Sequence, residues 1–105
     1  ALIVGVAEVT DADGKARPWA KYDLGQALAH LSVQAHHDGL HVHQMGGFVA
    51  DGLREAFPIG DRFEPVSVAA IGVLASADAL PDALRERELA PRTRLPLTEL
   101  VLVNE

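Results

Sequence analysis

The chain has 105 residues, 49% hydrophobic and 23% charged, a balance that suits one compact globular domain with a single core and excludes a disordered segment. A net charge of −6 leaves no broad basic face for a phosphate backbone, so no nucleic-acid partner is expected, although a local anion site is compatible with it. Without cysteine the chain forms no disulfide, thiolate metal site or thiol nucleophile, and its uncharged apolar stretches, residues 1–7 and 66–77, fall short of the roughly 18 residues of a membrane helix.

Residues 1–9 form a nearly continuous apolar run with β-branched Ile3, Val4, Val6 and Val9, followed by Thr10-Asp11-Ala12-Asp13-Gly14. This predicts a buried strand that ends in a turn. Leu24, Ala27, Leu28, Leu31 and Ala35 then recur at helical spacing, which predicts a helix over residues 23–38 with Asp23 as cap and Gly39 as stop. Residues 40–45 read as a short strand with Leu40 and Val42 on one face and His41 and His43 on the other, running into Gly46-Gly47. A second, short helix is expected from Ala50 or Asp51, since Val49, Leu53 and Phe57 share a face and Pro58 interrupts it. Residues 66–74 have the composition of a central strand, with Gly72 marking a bulge or a close backbone approach. Asp82 to Leu89 are good helix formers behind Pro81. After Pro96, residues 97–103 are expected to be an edge or exchanged strand.

Three landmarks carry more than secondary structure: Tyr22-Asp23-Leu24-Gly25-Gln26, Asp38-Gly39-Leu40 and His43-Gln44-Met45-Gly46-Gly47-Phe48. With Phe63-Glu64-Pro65-Val66, Ala70-Ile71-Gly72 and Arg92-Thr93-Arg94-Leu95-Pro96-Leu97, they make the chain resemble the C-terminal half of the FMN-dependent nitroreductase family. No single motif is diagnostic; the order and spacing together carry the resemblance, over nearly the whole chain. It implies an α+β fold, with a mainly antiparallel sheet flanked by helices in three layers. Residues 1–105 would be the C-terminal portion of an FMN-binding domain, and the start on Ala1 without methionine fits part of a longer chain. A homodimer with FMN at the two-fold interface is implied, and the default location is cytoplasmic, with no membrane partner.

The resemblance also implies site residues. The loop of Gln44, Met45, Gly46 and Gly47 would lie against the flavin ring, with backbone N–H groups aimed at its N5 and O4 edge. Fixed donors there stabilise the electron density of the reduced ring. Gly46-Gly47 alone is also what a tight strand-to-helix turn requires. Where the family often has proline, this chain has Gln44, which alters ring packing but spares backbone recognition. Arg92 and Arg94 would bind the FMN phosphate, Arg94 foremost, although Arg85 and Arg87 lie close in sequence. No catalytic side chain is implied, since the cofactor carries the chemistry: NAD(P)H would be the co-substrate and a nitroaromatic, quinone or similar small molecule the electron acceptor, in a ping-pong cycle. The alternative is a non-catalytic interaction or cofactor-storage module.

His30, His36, His37, His41 and His43 suggest a metal only weakly, because they form no His-Glu-x-x-His and no complete ligand set, and no metal site is expected. His43, beside the loop, is in place to influence flavin electrostatics. Residues 10–18 form a shorter connection than the family's helical excursion there, which implies a more open pocket near Trp19 and Tyr22.

Overall fold

The structure, a computed structural model, describes residues 1–101. Its elements are β1 (Leu2–Glu8), α1 (Ala20–His37), β2 (His41–Met45), α2 (Ala50–Ala56), β3 (Phe63–Gly72), a 3-10 turn (Ala77–Ala79), α3 (Asp82–Leu89) and α4 (Leu97–Leu100). Two compact units divide the chain, Ala1–Leu74 and Ala75–Glu105. The expected class holds: an α+β fold whose sheet is antiparallel, in the order β1-β3-β2.

In the first unit, β1 pairs with β3 from Leu2 opposite Ala70 to Glu8 opposite Phe63, and β2 pairs with β3 from His41 opposite Gly72 to Met45 opposite Val68. The alternation of side chains across a strand puts Gly5, Ser67, Ala69 and Gln44 on the face that α1 covers. Small residues dominate that contact: the buried apolar set is Ala7, Leu28, Ala35 and Ala69. Leu28, the one large member, sits over Gly5, where an added Cβ would lie 3.0 Å from its Cδ1 and 3.0 Å from Ser67 Oγ. Glycine is therefore required there by close approach of helix and sheet.

The C-terminus of α1 closes as the sequence indicates. Gly39 has φ +79°, its N–H donates to His36 C=O at 3.1 Å, and the N–H of Leu40 donates to Ala35 C=O at 2.8 Å. This pair of bonds is the Schellman motif, which needs a left-handed residue after the cap.

The N-terminus differs from expectation. α1 begins at Ala20, with Trp19 at the cap position and no side-chain cap bond. Asp23 falls in the first turn instead, where a carboxylate is also favoured because it faces the positive end of the helix dipole. The central strand likewise starts earlier, at Phe63, and contains Pro65. Proline is tolerated because the register shifts beside it, between Gly5 and Val6, leaving Val66 as the extra residue of a bulge. The bulge is thus at Val66; Gly72 ends the strand, and nothing lies within 4 Å of where its Cβ would be. α2 forms as expected, yet Val49 and Phe57 are exposed, and the helix is held by Arg54, whose guanidinium donates to Phe63 C=O at 2.6 Å and Ile59 C=O at 3.3 Å.

In the second unit, α3 forms behind Pro81 as expected, and Ser76 Oγ accepts from Asp78 N–H to cap the 3-10 turn. The strand expected over residues 97–103 is not found in its described part: Leu97–Leu100 is one helical turn, closed by Val101 N–H donating to Leu97 C=O at 2.9 Å. A lone strand leaves its backbone groups unpaired, whereas a turn after Pro96 satisfies some of them locally. Residues 102–103 lie outside the described part.

Candidate functional site

Gln44 and Met45 are the last two residues of β2, the edge strand next to the central β3, and Gly46-Gly47 follow directly. Strand geometry therefore fixes the start of the loop. The Gln44 side chain lies on the α1 face, where its Nε2 donates to Ser32 Oγ at 3.0 Å, and Met45 is on the opposite face, half-buried. Neither glycine has a positive φ, and an added Cβ on either would meet nothing within 4 Å. No turn geometry and no packing among the described residues requires them. Their N–H groups also find no acceptor among the described residues. Two free backbone donors in an open, side-chain-free strip are what recognition of a planar, acceptor-edged ring would need.

Arg92 and Arg94 belong to the second unit, in the extended stretch between α3 and α4, and both are exposed. Arg94 Nη1 donates to Thr93 C=O at 2.9 Å, and neither arginine has a carboxylate partner among the described residues. Arg85, by contrast, pairs with Asp82 at 3.2 Å. That separates it from the two arginines further along, which the sequence alone could not do.

The rings of His36 and His41 meet edge to face with centroids 5.7 Å apart. Among the described residues no three His, Cys, Asp or Glu side chains gather so as to hold a metal ion. At the opposite end of α1, the connection after β1 is a tight hairpin. Thr10 bridges Ala16, Asp11 Oδ1 accepts from the N–H groups of Asp13 and Lys15, and Gly14 takes φ +78°. Beside it opens a cavity of about 430 Å³ lined by Lys15, Arg17, Trp19 and Asp23, with Trp19 and Tyr22 edge to face at 6.3 Å. The short connection expected over residues 10–18 is this hairpin, signalled by its turn residues. Ser32 carried no such signal, because a serine in mid-helix has no distinguishing pattern.

No protein-family model matches the chain. A protein of Mycolicibacterium smegmatis, described as an uncharacterized 15.4 kDa protein in the ask 5' region, is 35% identical over 104 residues, covering 99% of this chain and 69% of that protein. Among solved structures, an oxidoreductase containing FMN matches with a TM-score of 0.88 and 33% identity, over 99% of this chain and 54% of its own. A nitroreductase family protein from Clostridium difficile 630 matches with a TM-score of 0.69 and 27% identity, over 95% of this chain and 56% of its own. The chain thus spans about half the length of these solved proteins. The fold class they share is α+β with an antiparallel sheet. In fold the chain is nitroreductase-like, and its similarity to these solved proteins runs over nearly all of its length.

Proposed function

We propose that this chain is the flavin-loop portion of an FMN-dependent oxidoreductase. The observation that carries the reading is the pair of free N–H donors of Gly46 and Gly47, in a strip that needs glycine for no reason internal to the described residues. The likeness to an FMN-containing oxidoreductase over 99% of this chain supports it. Bound FMN would supply the redox chemistry, with NAD(P)H as hydride donor and a nitroaromatic, quinone or similar electron-poor molecule as acceptor in a ping-pong cycle.

The part of the protein in this reading is to hold and orient. The backbone donors of Gly46 and Gly47 face the electron-rich edge of the ring, where a fixed dipole stabilises charge without reorganising. Arg92 and Arg94 neutralise the phosphate, for which a guanidinium fork suits a dianion. We also propose a homodimer. Its support is the exposed apolar set Leu95, Leu97, Leu100 and Val101, a concentration that soluble monomers usually cover. Sedimentation at micromolar concentration tests the assembly: a mass of two chains is expected, and a monomer that holds FMN normally overturns it.

The reading as a whole is tested at Gly47. Gly47→Val is expected to leave the fold intact, since apart from its chain neighbours no described atom lies within 4 Å of the added Cβ, but the branched side chain blocks the ring. FMN affinity, measured by flavin fluorescence, is expected to fall at least about tenfold, or roughly 1.4 kcal/mol. Unchanged affinity in the folded variant overturns the assignment.

A further inference from the structure

We infer that Ser32 and the Gln44 side chain form a latch that positions the residue 45–47 loop, so that Gln44 acts through its backbone neighbours rather than by touching the ring. This rests on the FMN reading for its purpose, but the latch itself stands on the chain's own geometry.

β2 has only five residues and is paired on one side alone, along β3. Its pairing ends at Met45 opposite Val68, and the next two residues have no hydrogen bond among the described residues. An edge strand of this length frays at its end, because its final backbone groups hold against water on the open side. One side-chain bond opposes that fraying. Gln44 Nε2 donates to Ser32 Oγ at 3.0 Å, and Ser32 Oγ donates to Leu28 C=O at 2.8 Å.

The two bonds define each other. A serine hydroxyl has one hydrogen, and with that hydrogen given to Leu28 it can only accept from Gln44. The Gln44 amide must therefore present its nitrogen to Ser32, which leaves its carbonyl oxygen without a partner in the described chain. The anchor is firm, since Leu28 is 7% exposed and sits against Gly5 of β1. The series Gln44, Ser32, Leu28 thus connects the end of an edge strand to the best-buried part of α1. A donor that reads a ring edge is effective only within a narrow range of position and angle, and support of this kind supplies the precision.

Ser32 is accordingly a positioning residue, with no contact to the cofactor.

The test uses the 105-residue chain and the variants Ser32→Ala, Ser32→Thr, Gln44→Ala and the double Ser32→Ala with Gln44→Ala. Threonine keeps the hydroxyl and bonds the same helical carbonyl. Amide hydrogen exchange of β2 and the visible flavin band on titration with FMN are both recorded. Ser32→Ala is expected to accelerate exchange in β2 and weaken FMN by roughly 2- to 12-fold, the range for one lost neutral hydrogen bond. Ser32→Thr should restore both, and adding Gln44→Ala to Ser32→Ala should change nothing further. Wild-type exchange in Ser32→Ala, or full additivity of the two changes, overturns the latch. Accelerated exchange with no flavin binding by the wild-type chain supports the latch and overturns the FMN reading; normal flavin binding with unaltered exchange overturns the latch alone.

Discussion

The first unit buries Leu28 and Ala35 of α1 and Ala7 and Ala69 of the sheet, whereas every described residue from Ala90 onward is exposed. Taken each by itself, the two units suit different kinds of proposed contact. Recognition by backbone N–H groups has no adjustable torsion left, so it must be built on a frame whose position is already determined. Recognition of a phosphate by arginine uses a long side chain that finds its partner by rotation, and an extended, exposed segment can present it. The proposed backbone contacts thus fall in the unit with the buried core, and the proposed phosphate contacts fall in an exposed segment.

The largest effect that would sharpen this contrast is expected from Leu28→Ala. Among the described residues it removes the only large buried apolar side chain of the helix–sheet contact, and it should cost about 2–5 kcal/mol in chemical denaturation. Leu84→Ala, at a position of α3 that is 46% exposed, should cost less than about 1 kcal/mol. Equal losses would break the comparison.

Next comes Arg94→Ala. Loss of a charge-assisted contact should weaken FMN by about 1.5–3 kcal/mol, roughly 10- to 150-fold. Riboflavin, which lacks the phosphate, should bind as before, with no change in denaturation midpoint. Equal weakening of both ligands would show that Arg94 does not read the phosphate. Smaller still is Gly39→Ala, which puts a Cβ on a residue at φ +79° and should destabilise by about 1–2 kcal/mol. A neutral result would mean that the Schellman closure contributes nothing measurable to the hold of α1 on β2.

The two ends of α1 show what was legible in the sequence. Gly39 has a single local role, so the stop could be read from one residue. The start could not, because an aspartate is equally at home as a cap and within the first turn, and Asp23 occupies the second place. Pro65 misdirected the start of β3 for a similar reason: local rules exclude proline from a central strand, and only the pairing partner, with its register shift at Gly5 and Val6, supplies the exception. The tail after Pro96 was read as a strand from its apolar composition, which does not separate a strand from a turn when no partner edge is specified. At the site, the position of residues 44–47 in the fold could be read because they are the end of one strand and its direct continuation. Ser32 could not, since its meeting with Gln44 depends on how the helix lies across the sheet.

The strand order has a consequence for how the chain reaches its fold. β3 lies between β1 and β2, so neither of the earlier strands has a neighbour until the last strand is made. α1 and β2 are joined by the tight Gly39 turn and can associate locally, but β1 must wait for Ala70 to reach Leu2. Closing so long a loop is slow relative to local contacts, and strands that wait with open edges are the ones that pair with the wrong chain. The rate of refolding should therefore be set by β3, and substitutions within Phe63–Gly72 should slow it more than substitutions in α1 of equal cost to stability.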